Sequence, residues 1–157
     1  MQFGLKLQED SPMNIPYKIA ADAIRHAHSQ WLPDTEEPYT VTVLDAGRNM
    51  VAFAKLDEAR LVSIEASAGK AYAAVSLESA SDALLHLIVP GQPLYGLETS
   101  HTKPLVMFKG GMPVFVGGKI AGGVGVSGGP LDQDERIATV IANYIADHMA
   151  TTIDSRT

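Results

Sequence analysis

Residues 39–54 read YTVTVLDAGRNMVAFA, and this stretch decides the fold. Its first half is rich in β-branched residues, and Val41 and Val43 alternate with threonines as the two faces of a strand require. The residues at 45–49 supply turn chemistry, and a second apolar run begins at Met50. Two such runs around a glycine-containing loop predict a β-hairpin.

Further along the chain, short apolar runs separated by glycine pairs indicate more strands. These strands are predicted at 105–108, 113–116 and 119–126. Apolar residues recur at helical spacing in four other stretches. The corresponding helices are predicted at 16–30, 61–76, 81–88 and 131–149. Hairpin-connected strands with segregated helices predict an α+β fold, in which helices cover a five-stranded antiparallel sheet.

Composition is that of an ordinary globular domain. The chain has 157 residues, of which 46% are hydrophobic and 19% charged, a net charge of −6 and no cysteine. An acidic chain without a Lys/Arg cluster disfavours nucleic acid as a partner, and the lack of cysteine excludes thiolate chemistry and disulfides. Neither a basic-then-apolar start nor a run of about 18 apolar residues is present. We therefore expect a cytoplasmic protein without a membrane span.

The length fits one domain. We expect an N-terminal arm at 1–13, a single domain at 14–150 and a C-terminal tail at 151–157. The helix predicted at 61–76 is dense in alanine and glycine, and such small side chains let another backbone approach closely. We expect this helix or a sheet edge to support association into a homo-oligomer.

Several motifs in a fixed order resemble one known family, the GlcG/HbpS family. They are Val43-Leu-Asp-Ala-Gly47 with Met50-Val51, Asp57-Glu-Ala-Arg-Leu61, Gly69-Lys-Ala-Tyr72, Gly110-Gly-Met-Pro113, Gly125-Val-Ser-Gly-Gly129 and Asp134-Glu135. The family includes proteins encoded beside glycolate-oxidase genes, secreted haem-binding sensors and the C-terminal domain of propanediol-utilisation cobalamin adenosyltransferases. The resemblance covers roughly residues 14 to 149. It implies a profilin-like or PAS-like three-layer fold, assembly into dimers or larger rings and, for some members, haem binding.

The stretch 89–104 contains three prolines and two glycines and is predicted to form a long functional loop. Within it, His101 is the first candidate, because an imidazole can ligate haem iron or act as a general base near neutral pH. The alternative is an inert, solvent-facing histidine. Glu98 is a candidate proton carrier, and Lys103 is a candidate ligand for an anion.

Three candidates lie outside that group. Lys70 is predicted to bind a carboxylate or haem propionate, or to react if it is desolvated, and otherwise to lie on the helix surface. Arg60 is a candidate for a bidentate grip on a carboxylate, with a structural salt bridge as the alternative. Tyr95 is expected to shape an aromatic wall or to join the core.

Three functions remain open from the sequence. The first is an oligomeric protein that binds haem or a related tetrapyrrole between residues 89–103 and the second helix. The second is a cytoplasmic catabolic enzyme, an isomerase, lyase or hydrolase, that acts on a small carboxylate by general acid/base chemistry. In that case His101 or Glu98 moves a proton, and Lys70, Arg60 or Lys103 holds the substrate. The third is an accessory subunit with a vestigial pocket.

Overall fold

The computed structural model describes residues 14–154. It contains the helices α1 (Tyr17–Ser29), α2 (Val62–Leu77), α3 (Leu85–Ile88) and α4 (Leu131–Asp154), the strands β1 (Thr40–Asp45), β2 (Met50–Lys55), β3 (Gly111–Val116) and β4 (Lys119–Ser127), and a 3₁₀ turn at Leu97–Thr99. The arm predicted at 1–13 lies outside the described residues. Between residues 14 and 154, none of the helices is both long and apolar enough to span a bilayer.

The predicted hairpin is confirmed, and it forms one half of the sheet. Strand β1 pairs antiparallel with β2, where Thr40 lies opposite Lys55, and with β4 on its other side. The sheet order is β2-β1-β4-β3, and all neighbouring strands are antiparallel. The α+β class is therefore confirmed.

The predicted fifth strand at 105–108 is wrong. The Leu105 amide donates to the Glu98 carbonyl at 3.2 Å, and the Val106 amide donates to the Gly69 carbonyl of α2 at 3.3 Å. Because this segment crosses a helix, it has no strand beside it with which to form a ladder. The described residues thus form a four-stranded sheet.

The short helix predicted at 81–88 is reduced to the single turn of α3. The Ser81 hydroxyl donates to the Phe108 carbonyl at 2.6 Å and accepts the Gly111 amide at 2.9 Å, and its own amide donates to the Gly111 carbonyl. These bonds hold Ser81 against the start of β3. The residues that follow make turn bonds from Ala83 to Ala80 and from Leu85 to Asp82, and they form no continuous α-helix before Leu85. At the other end of the chain, α4 continues to Asp154, beyond its predicted end at 149.

Three layers are formed, as the family resemblance implies. Val41 and Val43 of β1, together with Val124 and Val126 of β4, point towards α1 and α4 and form the main core with them. Since side chains alternate along a strand, the threonines of β1 point the other way, towards α2. The hydroxyl of Thr42 lies 2.9 Å from that of Ser67 on α2.

The small residues of α2 have an intramolecular purpose. A Cβ added at Gly125 of β4 would collide with the backbone of Ser67 and of Ala71, so helix and strand touch backbone to backbone. This contact explains the alanine-rich and glycine-rich composition of α2. The composition of that helix therefore no longer argues for association between subunits.

Candidate ligand-binding site

A cavity of about 300 Å³ opens beside α2, and we call it the α2 cavity. Its walls come from the β1–β2 turn, the outer face of α2 and the end of the 89–104 loop. The lining residues are Leu44, Arg48, Met50, Glu65, Ala68, Gly69, Tyr72, Lys103 and Pro104. Apolar side chains thus surround a few charged groups, which is typical of a site for a small organic ligand.

Arg48 reaches the cavity from the β1–β2 turn. The Asp45 carboxylate accepts the Asn49 amide at 2.9 Å and fixes this turn, in which Arg48 adopts φ 65°. Residues other than glycine are uncommon in this left-handed region, and such positions recur at functional sites. The Arg48 guanidinium lies 4.7 Å above the ring of Tyr72.

The Arg48 guanidinium keeps free hydrogen-bond donors. Its Nη1 donates to the Tyr72 hydroxyl at 3.0 Å and to Ser76 Oγ at 3.3 Å. Its Nη2 and Nε make no hydrogen bond with any residue in the described part of the chain. A planar guanidinium held in this way can grip a carboxylate. Sequence reasoning missed Arg48, although a cationic residue inside a glycine-type turn is a signal that could have revealed it.

Gly69 brings the second cation to the cavity. A Cβ at this position would collide with Val106, so the glycine lets residues 104–106 lie directly on α2. The preceding Lys103 is thereby placed in the cavity wall. Lys103 is exposed and forms no ion pair within residues 14–154, so its ammonium is available to a ligand.

His101 lies next to the cavity, with its ring edge-on to Tyr72 and the two ring centroids 6.1 Å apart. The Ser100 hydroxyl donates to the Leu97 carbonyl at 2.7 Å and lies 2.9 Å from His101 Nδ1. Either atom of this contact can be the donor, according to the tautomer of the ring. In the tautomer with Nδ1 protonated, Nδ1 donates to Ser100 Oγ, and Nε2 carries the lone pair that can bind a metal.

Glu98 belongs to the same loop and is half-buried. Its Oε2 is buried and has no hydrogen-bond partner among the described residues. Whether Glu98 moves a proton stays a prediction.

Arg60 and Tyr95 are not brought to the cavity. Arg60 is exposed just before α2, and Tyr95 is 65% exposed in the loop. Neither belongs to the cavity lining. Their predicted roles in ligand binding gain no support from these positions.

Lys70 does not lie on the helix surface, which was the alternative to a functional role. Its side chain is fully buried, which excludes a helix-surface lysine. Its Nζ lies 2.8 Å from Asp134 Oδ2, 2.8 Å from the Val126 carbonyl and 4.9 Å from the centre of the Phe108 ring. All three protons of the ammonium thus face an acceptor or an aromatic ring, which leaves none for a ligand.

Burial affects both members of this ion pair. It lowers the pKa of Lys70 and raises the pKa of Asp134, and the hydrogen bond between the two groups opposes both shifts. The Gly129 amide donates to Asp134 Oδ1 at 3.1 Å. The pair therefore joins α2 to the start of α4, and its position assigns it to the scaffold of the fold.

Within residues 14–154 no group of three or more His, Asp or Glu side chains is arranged to hold a metal ion. Haem iron requires fewer ligands from the protein, because the porphyrin supplies four nitrogens and the protein adds an axial ligand. The exposed imidazole of His101 beside the cavity is a side chain of the required type, and Arg48 and Lys103 are cations suited to propionates. The residues around the α2 cavity therefore fit a haem-type ligand.

Comparison with known proteins adds a family. Residues 15–142 match the family model described as haem degrading protein HbpS-like. An uncharacterised 15.0 kDa protein encoded between dhaT and dhaS in Citrobacter freundii is 38% identical over 101 residues, which cover 64% of this chain and 71% of that protein. The corrinoid adenosyltransferase PduO of Salmonella typhimurium is 38% identical over 106 residues, which cover 67% of this chain and 32% of PduO. The chain thus spans about a third of the PduO enzyme.

Solved structures show the same fold. The structure of a PduOC–haem complex matches with a TM-score of 0.71 and 31% identity, and covers 82% of this chain and 90% of that chain. A double mutant of HbpS from Streptomyces reticuli matches with a TM-score of 0.74 and 26% identity, and covers 91% of this chain and 93% of that chain. One of these two relatives was thus solved with haem bound.

Proposed function

The chain belongs to the HbpS-like family, and from that premise we propose that it binds haem or a related tetrapyrrole in the α2 cavity. The PduOC–haem complex supports the ligand class. The cavity supports the location, because it combines an apolar lining with cations and an adjacent imidazole.

The observation that carries the proposal is the orientation of His101. His101 Nδ1 lies 2.9 Å from Ser100 Oγ, which leaves Nε2 as the ring nitrogen without a hydrogen-bond partner among the described residues. This second bond is what a ligating histidine ordinarily has, since it fixes both the tautomer and the ring orientation. His101 is exposed, so the nitrogen can be reached.

The remaining cavity residues have separate tasks. Leu44, Met50 and Pro104 present apolar surface to the ring edges of a porphyrin, and Arg48 and Lys103 bind its carboxylates. Bound haem supplies an iron centre capable of redox chemistry. The chain orients that group through His101 and excludes water from the face that it covers.

We include self-association in the proposal. Met50 lines the α2 cavity and is 59% exposed, and Leu61 and Val62, at the start of α2, are 77% and 68% exposed. Large apolar side chains left open beside a site are typical of a surface that a partner covers. A second copy of this chain is the partner we propose, and light scattering coupled to size exclusion measures it.

A second candidate function is acid/base catalysis on a small carboxylate. The observation that favours it is the same Nε2 of His101, which has no hydrogen-bond partner among the described residues; imidazole is the side chain most often used for proton transfer. Arg48 would bind the carboxylate, and the partnerless Oε2 of Glu98 would be a second proton carrier. This enzyme would need no tetrapyrrole, which separates the two candidates.

Titration of the purified, haem-free protein with haemin, followed by absorbance, tests the main proposal. We expect a saturable Soret shift near one haem per chain, which His101→Ala weakens and alters in position. His86→Ala is the matched control, because His86 is an exposed histidine of α3 outside the cavity lining. Unsaturable binding, or equal titrations for His101→Ala and the unmodified chain, would reject the site as proposed.

A further inference from the structure

The α2 cavity carries different charges along the length of α2. Glu65, Ala68, Gly69 and Tyr72 all line the cavity, and their spacing of three, four and seven residues places them on one face of the helix. At the rise of an α-helix, Glu65 and Tyr72 are about 10 Å apart along the helix axis. The small residues Ala68 and Gly69 lie between them. The cavity therefore has a Glu65 end and a Tyr72 end.

The guanidinium and the imidazole both lie at the Tyr72 end. The Arg48 guanidinium is 4.7 Å above the Tyr72 ring, and its Nη1 donates to the Tyr72 hydroxyl at 3.0 Å. The His101 ring is edge-on to Tyr72 with the centroids 6.1 Å apart. These contacts anchor Arg48 about two helical turns beyond Glu65.

The backbone of Lys103 is also displaced from the Glu65 end. In the chain, Lys103 lies between His101, which contacts Tyr72, and Pro104, whose carbonyl lies 3.4 Å from a Cβ placed at Gly69. The residue thus enters the cavity wall at the level of α2 between Gly69 and Tyr72. Glu65 lies one helical turn before that level.

Glu65 is a free carboxylate in the cavity wall. It is exposed, and it forms no ion pair or hydrogen bond with any residue in the described part of the chain. It lies in the first turn of α2, where the helix dipole favours an acidic side chain. The dipole acts on every face of that turn, so it does not explain why the carboxylate is on the face that lines the cavity.

This arrangement of charges restricts which tetrapyrroles fit. Haem has its carboxylates on one edge of the ring, and the opposite edge carries only methyl and vinyl groups. When the carboxylates bind Arg48 and Lys103, the apolar edge extends towards Glu65. A tetrapyrrole with carboxylates in place of the vinyl groups would bring like charge towards Glu65, and like charges repel.

We propose that Glu65 is a specificity-determining residue, which makes the α2 cavity select tetrapyrroles with carboxylates on one edge over those with carboxylates around the ring. This inference rests on the tetrapyrrole site proposed above and names the class of tetrapyrrole that it takes. Arg48 and Lys103 supply the attraction, and Glu65 supplies the repulsion that separates one ligand from another.

Parallel titrations of the haem-free protein with haemin and with iron(III) coproporphyrin III test this inference. The second ligand keeps the iron and has propionates where haemin has vinyl groups. We expect the unmodified chain to bind haemin more tightly. Glu65→Gln should raise the affinity for iron coproporphyrin about threefold to fivefold, as for the loss of one exposed charge interaction. Its affinity for haemin should stay within about twofold.

Glu37→Gln is the matched control. It removes the same charge from an exposed residue outside the cavity lining, so neither affinity should change. Added salt screens exposed charges, so it should reduce the preference of the unmodified chain more than that of Glu65→Gln.

The outcomes separate this inference from the proposed function. Equal changes in both affinities for Glu65→Gln, or the same response from Glu37→Gln, would overturn the role of Glu65 and leave the haem site in place. An unmodified chain that binds iron coproporphyrin as tightly as haemin would also overturn it. Absence of saturable haemin binding would overturn the proposed function, and this inference with it.

Discussion

Helix α2 borders two polar regions that use their charges in opposite ways. In the ion pair of Lys70 and Asp134, both side chains are buried and every proton of the ammonium faces a partner inside the protein. In the α2 cavity, the exposed Arg48 and Lys103 keep donors that no described residue occupies. The first region holds α2 against α4, and the second is free to hold something else. In this chain, a buried charge thus belongs to the fold and an exposed charge is available for binding. The position of a charged residue in a sequence motif does not make that distinction.

The largest expected effect is a loss of stability when the buried ion pair is broken. Lys70→Met leaves the Asp134 carboxylate buried without its counter-charge, and we expect the free energy of unfolding to fall by about 3–5 kcal/mol. Urea unfolding measures it. Adding Asp134→Asn should recover a large part of the loss, since no unpaired charge then remains inside.

Lys109→Met is the matched control for that experiment. Lys109 pairs with Asp132 and Glu135 at the surface, 3.0 and 2.9 Å away. Exposed ion pairs contribute little, so this variant should lose only a small fraction of what Lys70→Met loses. Equal losses for the two variants would mean that burial is not what makes the Lys70–Asp134 pair important.

The next effect is the pH dependence of the stability that Lys70→Met loses. Burial raises the pKa of Asp134 above its ordinary 3.8, and loss of the lysine raises it further. A raised pKa in the folded state means that the folded state binds the proton more tightly. The stabilisation by that proton is complete below 3.8 and is lost as the pH rises through the folded-state pKa. Urea unfolding between about pH 4 and pH 7 should therefore show a deficit that grows with pH. A deficit that shrinks towards neutral pH would contradict this account of Asp134.

Arg48→Gly gives an intermediate effect on the exposed side. Glycine removes the guanidinium but suits the left-handed backbone of this position. We expect haemin affinity to fall about tenfold, since a charge-assisted bond to a carboxylate is lost. The free energy of unfolding should change by less than about 1 kcal/mol, because relief of the backbone offsets the lost ring contact. A large loss of stability with unchanged haemin affinity would place Arg48 in the scaffold instead.

The smallest effects are expected from Arg60→Ala and Tyr95→Ala. Both side chains are exposed and lie outside the cavity lining. Haemin affinity should stay within about twofold of the unmodified chain for each variant, as for surface substitutions away from a site. A tenfold loss in either titration would show that the site extends beyond the cavity described above.

Local pattern was sufficient for most of the fold. The period-two alternation of Val41 and Val43 predicted the hairpin, and helical spacing predicted α1, α2 and α4. The segment at 105–108 looked like a strand because its residues are apolar. It is a loop because it packs directly on α2 at Gly69, which has no side chain to collide with Val106, 37 residues away.

The site was less accessible to prediction for the same physical reason. His101 and Lys103 could be proposed because they lie in a long loop with turn-forming residues. The partner of Lys70 could not be predicted, since spacing along a helix does not reveal Asp134, 64 residues away. Arg48 was overlooked because its segment was interpreted only as a turn. Its contact with Tyr72 forms only when the hairpin packs against α2, which the local sequence does not show.

The most direct test of the central claim is to determine which residues of the chain lie close to bound haemin. Haemin is paramagnetic, so amide resonances close to the iron lose intensity in a two-dimensional nitrogen–proton NMR spectrum of the labelled protein. We predict early losses at residues 44–50, 65–72 and 97–104, with residues 24–31 and 54–57 on the other face of the sheet unaffected. Losses centred on residues 24–31 and 54–57, or spread evenly over the chain, would contradict the assignment of the α2 cavity as the tetrapyrrole site.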